Sequence, residues 1–191
     1  IIPLGYLLFE LVLKELHSLQ LAVGKKVKVA FNLSLKQFLD KNLSNQLISL
    51  CKVYNVDPCY IKLEITESVA ASNINDVIQI ISRLRLLGME IELDDYGTGF
   101  SSLKYLKDFQ INCIKIDQSF IKDLFLYPSN KAIINSTIQM AHELGFTVLA
   151  EGIETKEQYN YLKSKGCDSF QGYFLGKPQP LSYYQKELQI Q

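Results

Sequence analysis

The chain reads as an α/β protein, a TIM-like (β/α) barrel incomplete at its N-terminal end, on three observations. Helix-like and strand-like periodicities alternate along its 191 residues. Runs such as 27–33 and 146–150 are apolar on both faces, as parallel strands buried between two layers are. The strand-like runs also end, one after another, on polar side chains: Asn32, Glu64, Asp94 with Asp95, Lys115 with Asp117, Glu151, and Gln171. In a βα barrel the groups that do chemistry come from the carboxyl ends of several strands.

In chain order the periodicity predicts a helix over 4–20, a strand over 27–33, a helix over 43–54, a strand over 60–65 and a helix over 72–87. Strands over 89–94, 112–116, 147–150 and 168–171 follow, with helices over 130–144 and 156–165 among them. Ser101-Ser102 before Leu103 and Leu106 reads as one more helix start. Gly88, Gly145 and Gly166 each follow a helix and precede a strand, where a left-handed residue is expected, and Thr155 stands at an N-cap position. No linker or low-complexity tract interrupts residues 1–191, so one domain or most of one is expected, cut from a longer protein.

Composition narrows the function classes. An apolar content of 48% supports a sizeable core, and 20 basic residues cancel 20 acidic ones. No global field therefore draws in a nucleic acid polymer or an anionic membrane, and a phosphate-bearing ligand must be held locally. The apolar stretch from Leu4 to Leu13 is broken by Gly5 and Glu10 and is too short to span a bilayer. A cytoplasmic location is expected, either free or as the cytoplasmic part of a membrane-anchored protein. Cys51, Cys59, Cys113 and Cys167 form no Cys-x-x-Cys pair and fit reduced, buried thiols. His17 and His142 are the only histidines, and both read as helix-surface or packing residues.

The chemistry concentrates at Asp94-Asp95-Tyr96-Gly97-Thr98-Gly99. Asp and Gly also suit plain turns, but the spacing fits neither an EF-hand, whose twelfth position here is Tyr105, nor a P-loop. Glu64, Asp94, Asp95 and Glu151 on one barrel mouth repel each other and call for cations. Oxygen ligands alone, with Asn32 adding an amide, select hard ions such as Mg²⁺ or Mn²⁺. An adjacent Asp pair can bridge two of them, and two metals suit phosphodiester hydrolysis. Lys115 is then placed to orient water or to stabilise phosphoryl charge, unless it is a structural lysine paired with Asp117.

These segments resemble the EAL domain family, bacterial phosphodiesterases that linearise cyclic di-GMP to pGpG. The matching motifs are Phe31-Asn32-Leu33-Ser34, Leu63 to Ser68 and Asp94 to Leu103, the last with Tyr96 for the usual Phe. Lys115-Ile116-Asp117, Glu151-Gly152-Ile153-Glu154 and Gln171-Gly172-Tyr173 complete the set. The resemblance implies that Asn32, Glu64 and Asp94 bind a first metal, and that Asp94, Asp95 and Glu151 surround a second. By it, Lys115 and Glu151 are catalytic and Gln171 lines the ligand cleft. Glu67, Glu154, Gly97, Thr98 and Gly99 support the Asp-Asp loop. It further implies a homodimer and fusion to sensory or diguanylate cyclase domains.

The resemblance covers about the later three-quarters of the family domain, or about six of its eight barrel strands. The Glu-Ala-Leu segment, with its metal-ligating Glu, is not among these residues. Turnover is therefore expected of the longer natural protein, and the 191 residues alone are expected to be crippled. The alternative is an inactive cyclic di-GMP receptor or regulatory domain. A glycoside hydrolase fits poorly, because the chain has no Trp and its Asp doublet is too close to flank one glycosidic bond. A purely structural fold remains the third reading.

Overall fold

The computed structural model describes residues 1–70, 74–98 and 106–190. Six strands, β1 Val29–Leu33, β2 Ile61–Thr66, β3 Glu90–Tyr96, β4 Cys113–Ile116, β5 Thr147–Ala150 and β6 Ser169–Phe170, form one sheet in sequence order. Strand pairs β1–β2, β3–β4, β4–β5 and β5–β6 are parallel. Helices intervene, which is the partial (β/α) barrel that the periodicity predicts.

Two compact units divide the chain. The first comprises 1–65, 73–91 and 178–191. Its opening helix, Ile2–Val23, runs three residues past the predicted end and stops at Gly24, whose φ of 63° lets its N–H reach Gln20 O at 3.0 Å. Phe9, Leu13 and Leu16 form the buried stripe of that helix, and the Phe9 ring meets Phe31 of β1 edge-on at 5.1 Å. Helix Leu43–Val53 buries Leu43, Leu47 and Cys51, one residue per turn. Ile61, Leu63 and Ile65 of β2 are fully covered. At about 1.5–3 kcal/mol per buried large side chain, this packing outweighs any propensity term.

The second unit comprises 66–72 and 92–177. All four residues of β4 are buried, as a central parallel strand requires. Ile134, Ile138 and Ala141 of helix Pro128–Glu143 supply core residues on the i, i+4, i+7 rhythm. Helix Lys156–Ser164 begins at Thr155 with a full capping box: Thr155 Oγ1 accepts the Gln158 N–H at 3.2 Å, and Gln158 Oε1 accepts the Thr155 N–H at 3.0 Å. Gln158 is itself buried, and its Nε2 donates to Ile121 O at 3.0 Å.

Gly88, Gly145 and Gly166 adopt the expected positive φ, at 97°, 81° and 86°. The helices at Leu35–Phe38 and Gln118–Lys122 were not predicted, being too short to show a period, yet each has a side-chain cap, Ser34 and Asp117. The predicted helix start at Ser101-Ser102 lies outside the described residues. All four cysteines are free; Cys51, Cys113 and Cys167 are buried and Cys59 is half-buried. No helix among the described residues is long and apolar enough to cross a membrane.

Candidate functional site

In the first unit, the in-phase register of β1 and β2 sets Asn32 opposite Glu64. Two polar residues thus stand side by side near the carboxyl ends of adjacent strands, although Val29↔Ile61 and Phe31↔Leu63 on the same strands are apolar. Glu64 is buried and Asn32 exposed.

In the second unit, β3 pairs with β4 through Leu93↔Ile114 and then Tyr96↔Ile116, with a shift between them. Three steps on β3 thus match two on β4, which makes a β-bulge at Asp94-Asp95. Asp95 takes a φ of 54°, in the left-handed region that Asp tolerates better than most residues. The bulge matters because neighbours in a regular strand point to opposite faces. Here Asp94, Asp95 and Glu151 each offer a carboxylate oxygen, all within 4.8 Å of one another.

Lys115 rises from buried β4 into this group. Its Nζ stands 2.9 Å from Asp94 Oδ1 and 2.8 Å from Glu151 Oε1. With only 3% of its surface exposed, the ammonium depends on those partners. The Asp94 contact is an ion pair without hydrogen-bond geometry, so Oδ1 is a buried acceptor whose lone pairs are not used in hydrogen bonding. Asp117, the partner of the structural reading of Lys115, caps helix Gln118–Lys122 through Ser119 N–H at 3.0 Å.

Three carboxylates and one ammonium leave about two negative charges. Burial first, then the carboxylates of Asp94 and Asp117, push the Asp95 carboxyl above its ordinary range, with Lys115 pulling the other way. Two like charges 4.8 Å apart cost about 3 kcal/mol at an effective dielectric of 20. The donor set is all oxygen, half-buried and overcharged by about one divalent ion. It fits a hard divalent cation.

Glu67, opening the short helix Glu67–Ala70, accepts the Gly97 N–H on Oε1 at 2.9 Å. Thr98 folds back on Asp95 O through its N–H at 3.2 Å and its hydroxyl at 2.8 Å. Gly99 lies outside the described residues. Beside the acids, a cavity of about 290 Å³ is lined by Gln118, Glu151, Gly152, Glu154, Gln171, Gly172 and Tyr173. Gln171 is tied in by its backbone, donating to Ala150 O at 2.9 Å and accepting from Ile153 N at 3.0 Å. Glu154 borders the same cavity. Sequence reasoning missed Gln118, which lines the cavity, and Phe120, whose ring lies against Gly97, since nothing in Lys115 to Phe120 shows that both return to the site.

Residues 1–178 match the EAL domain family. The chain belongs to that family. This EAL domain is 38% identical over 152 residues to the cyclic di-GMP phosphodiesterase PA2567 of Pseudomonas aeruginosa, covering 80% of this chain and 26% of that protein. The chain spans about a fifth to a quarter of the length of such curated relatives. Its fold matches the PaMucR phosphodiesterase in complex with cyclic di-GMP, with a TM-score of 0.91 and 31% identity, covering 96% of this chain and 74% of that one. It also matches Klebsiella pneumoniae BlrP1 in a complex with manganese and cyclic di-GMP, with a TM-score of 0.80 and 28% identity over 88% of this chain and 43% of that one.

Proposed function

We propose that residues 1–191 form the C-terminal three-quarters of an EAL domain that hydrolyses cyclic di-GMP to linear pGpG in bacterial second-messenger signalling, with Mg²⁺ or Mn²⁺. The observation that carries this reading is the convergence of Asp94, Asp95 and Glu151 around the ammonium of Lys115. Relatives named as cyclic di-GMP phosphodiesterases support the substrate.

Asp94, Asp95 and Glu151 are the proposed acidic ligands, and Asn32 and Glu64 carry over from the family motifs as further oxygen ligands. A divalent cation held by these residues would supply positive charge to offset the anion that develops on the phosphodiester. Lys115 and Glu151 are the proposed catalytic pair. The Lys115 ammonium donates to the attacking water or to a phosphoryl oxygen, and its two ion pairs hold it at the acids without conformational search. The water oxygen bonds to phosphorus as one bridging P–O bond breaks, and the proton that the water gives up is matched by the one that the leaving sugar oxygen takes up. Gln171 is assigned to the nucleotide, since it lines the cavity beside Glu151.

Glu67, Gly97 and Thr98 hold the acidic turn; Glu154 and Gly99 are assigned the same task by resemblance. The natural protein is proposed to be a homodimer in the cytoplasm, fused to sensory or cyclase domains. The test is chromatography of cyclic di-GMP incubated with Mn²⁺ and the intact protein that carries this chain. Appearance of pGpG, lost in Asp94→Asn, is expected. Tight binding without product would instead assign an inactive receptor.

A further inference from the structure

The acidic turn is held from two directions, and only one of them is a hydrogen bond. Glu67 fixes the N–H of Gly97. On another side, a Cβ built on Gly97 would fall 2.7 Å from Phe120 Cε2 and 2.9 Å from Cζ, far inside van der Waals contact. The Phe120 ring therefore lies directly against the Gly97 backbone, in space that any side chain would occupy. Gly97 has a φ of 98°, so both its conformation and its surroundings demand glycine.

Phe120 is well placed to act as a fixed seat. It is half-buried in helix Gln118–Lys122, which Asp117 caps. Its own carbonyl accepts from Asn130 Nδ2 at 3.4 Å, tying it to the start of the helix Pro128–Glu143. Lys115 lies five positions earlier, in β4, which leads into this helix. One rigid segment thus presents the ammonium to Asp94 and the ring to Gly97. Asp95, between those points, holds a left-handed backbone that pairs poorly with slack.

We propose that Phe120 is a positioning residue for the divalent cation: its ring seats Gly97, and the seat keeps the Asp94 and Asp95 carboxylates on the side where Glu151 meets them. This rests on the metal site proposed above. The aromatic ring suits the task because it offers a flat, stiff surface to a bare backbone at low conformational cost. A flexible side chain would let the turn rock and spread the acids, and misplacement on the ångström scale is costly for a site of this kind.

The test titrates Mn²⁺ into the 191-residue chain by calorimetry and follows hydrogen exchange of the Gly97 amide, for wild type, Phe120→Ala, Phe120→Leu and Gly97→Ala. Circular dichroism checks that each variant is folded. Phe120→Ala is expected to weaken Mn²⁺ binding about tenfold and to speed Gly97 exchange at least as much. Phe120→Leu, which still covers Gly97, is expected to stay within about threefold of wild type. Combining Gly97→Ala with Phe120→Ala should cost less than the two changes separately, because the added methyl then finds room. Wild-type Mn²⁺ affinity and unchanged Gly97 exchange in folded Phe120→Ala would overturn the proposal, as would additive costs. If wild type itself bound no Mn²⁺, the metal reading would fail, and Gly97 exchange would still decide whether Phe120 seats the turn. Should Phe120→Ala not fold, Phe120→Leu compared with the more flexible Phe120→Met decides: equal exchange and affinity in the two would overturn the role of a stiff side chain at this position.

Discussion

Asp94 and Asp95 are sequence neighbours in β3, yet their carboxylates come within 4.8 Å of each other and of Glu151. The bulge and the φ of 54° at Asp95 make that possible. Asp95→Asn should keep the backbone, since Asn also tolerates the left-handed region, and should remove a carboxylate that burial disfavours. Its apo form is expected to melt no lower than wild type while its Mn²⁺ affinity falls sharply. Asp95→Val should lose both, with strain of about 1–3 kcal/mol added. Equal thermal stability of the Asn and Val variants would contradict the backbone argument.

Lys115 occupies the acids that a cation needs. Removing the ammonium takes a counter-charge from the half-buried Asp94 and Glu151 carboxylates and leaves the like charge of Asp95 beside them. Lys115→Met should therefore melt at lower temperature than wild type in chelator and recover when Mn²⁺ is added. Its Mn²⁺ affinity should hold or rise, while turnover of cyclic di-GMP in the intact protein drops by about 100- to 1000-fold. A variant that lost metal affinity along with turnover would show that Lys115 builds the site rather than acting on water or phosphate.

Much of this was legible in the sequence, and the exceptions share a cause. The polar strand ends could be seen because a parallel strand is otherwise apolar, so Glu64 and Lys115 stand out within Leu63-Glu64-Ile65 and Ile114-Lys115-Ile116. Gly88, Gly145 and Gly166 were readable from local backbone chemistry alone. The bulge was not readable, because strict alternation at β3 predicts that Asp94 and Asp95 diverge, and register is a property of two strands. Phe120 was not readable either, since its contact with Gly97 spans 23 positions and involves a residue with no side chain to leave a pattern.

Two buried thiols bear on alkaline stability. Burial, aided by Asp57, pushes Cys51 up to about 11 from 9.0, and burial pushes Cys167 up to about 11 as well. Both folded values are raised, so the unfolded chain releases these protons first as pH rises. The stabilisation is complete below about pH 9 and disappears as pH climbs through about 11. The urea midpoint should fall between pH 8.5 and roughly pH 11, and it should fall less steeply in Cys51→Ala/Cys167→Ala. Parallel slopes in the two proteins would assign the loss to other groups.

Gly172 and Gly145 separate two reasons for glycine. A Cβ on Gly172 would lie 2.2 Å from both the N and the O of Ile153, backbone atoms that cannot swing aside. Those same atoms are committed, with Ile153 N bonded to Gln171 O at 3.0 Å and Ile153 O accepting from Phe174 N at 2.9 Å. Gly145 has nothing within 4 Å of its Cβ position, and only its φ of 81° resists substitution. Gly145→Ala should therefore cost about 1 kcal/mol by denaturant unfolding. Gly172→Ala should cost about 3 kcal/mol or more and should displace Gln171, because the 171–174 backbone must part from Ile153. That displacement would register as weaker cyclic di-GMP binding in Gly172→Ala but not in Gly145→Ala. Similar stability losses in the two variants would mean that the approach at Ile153 relaxes freely, and the cavity wall at Gln171 would not depend on it.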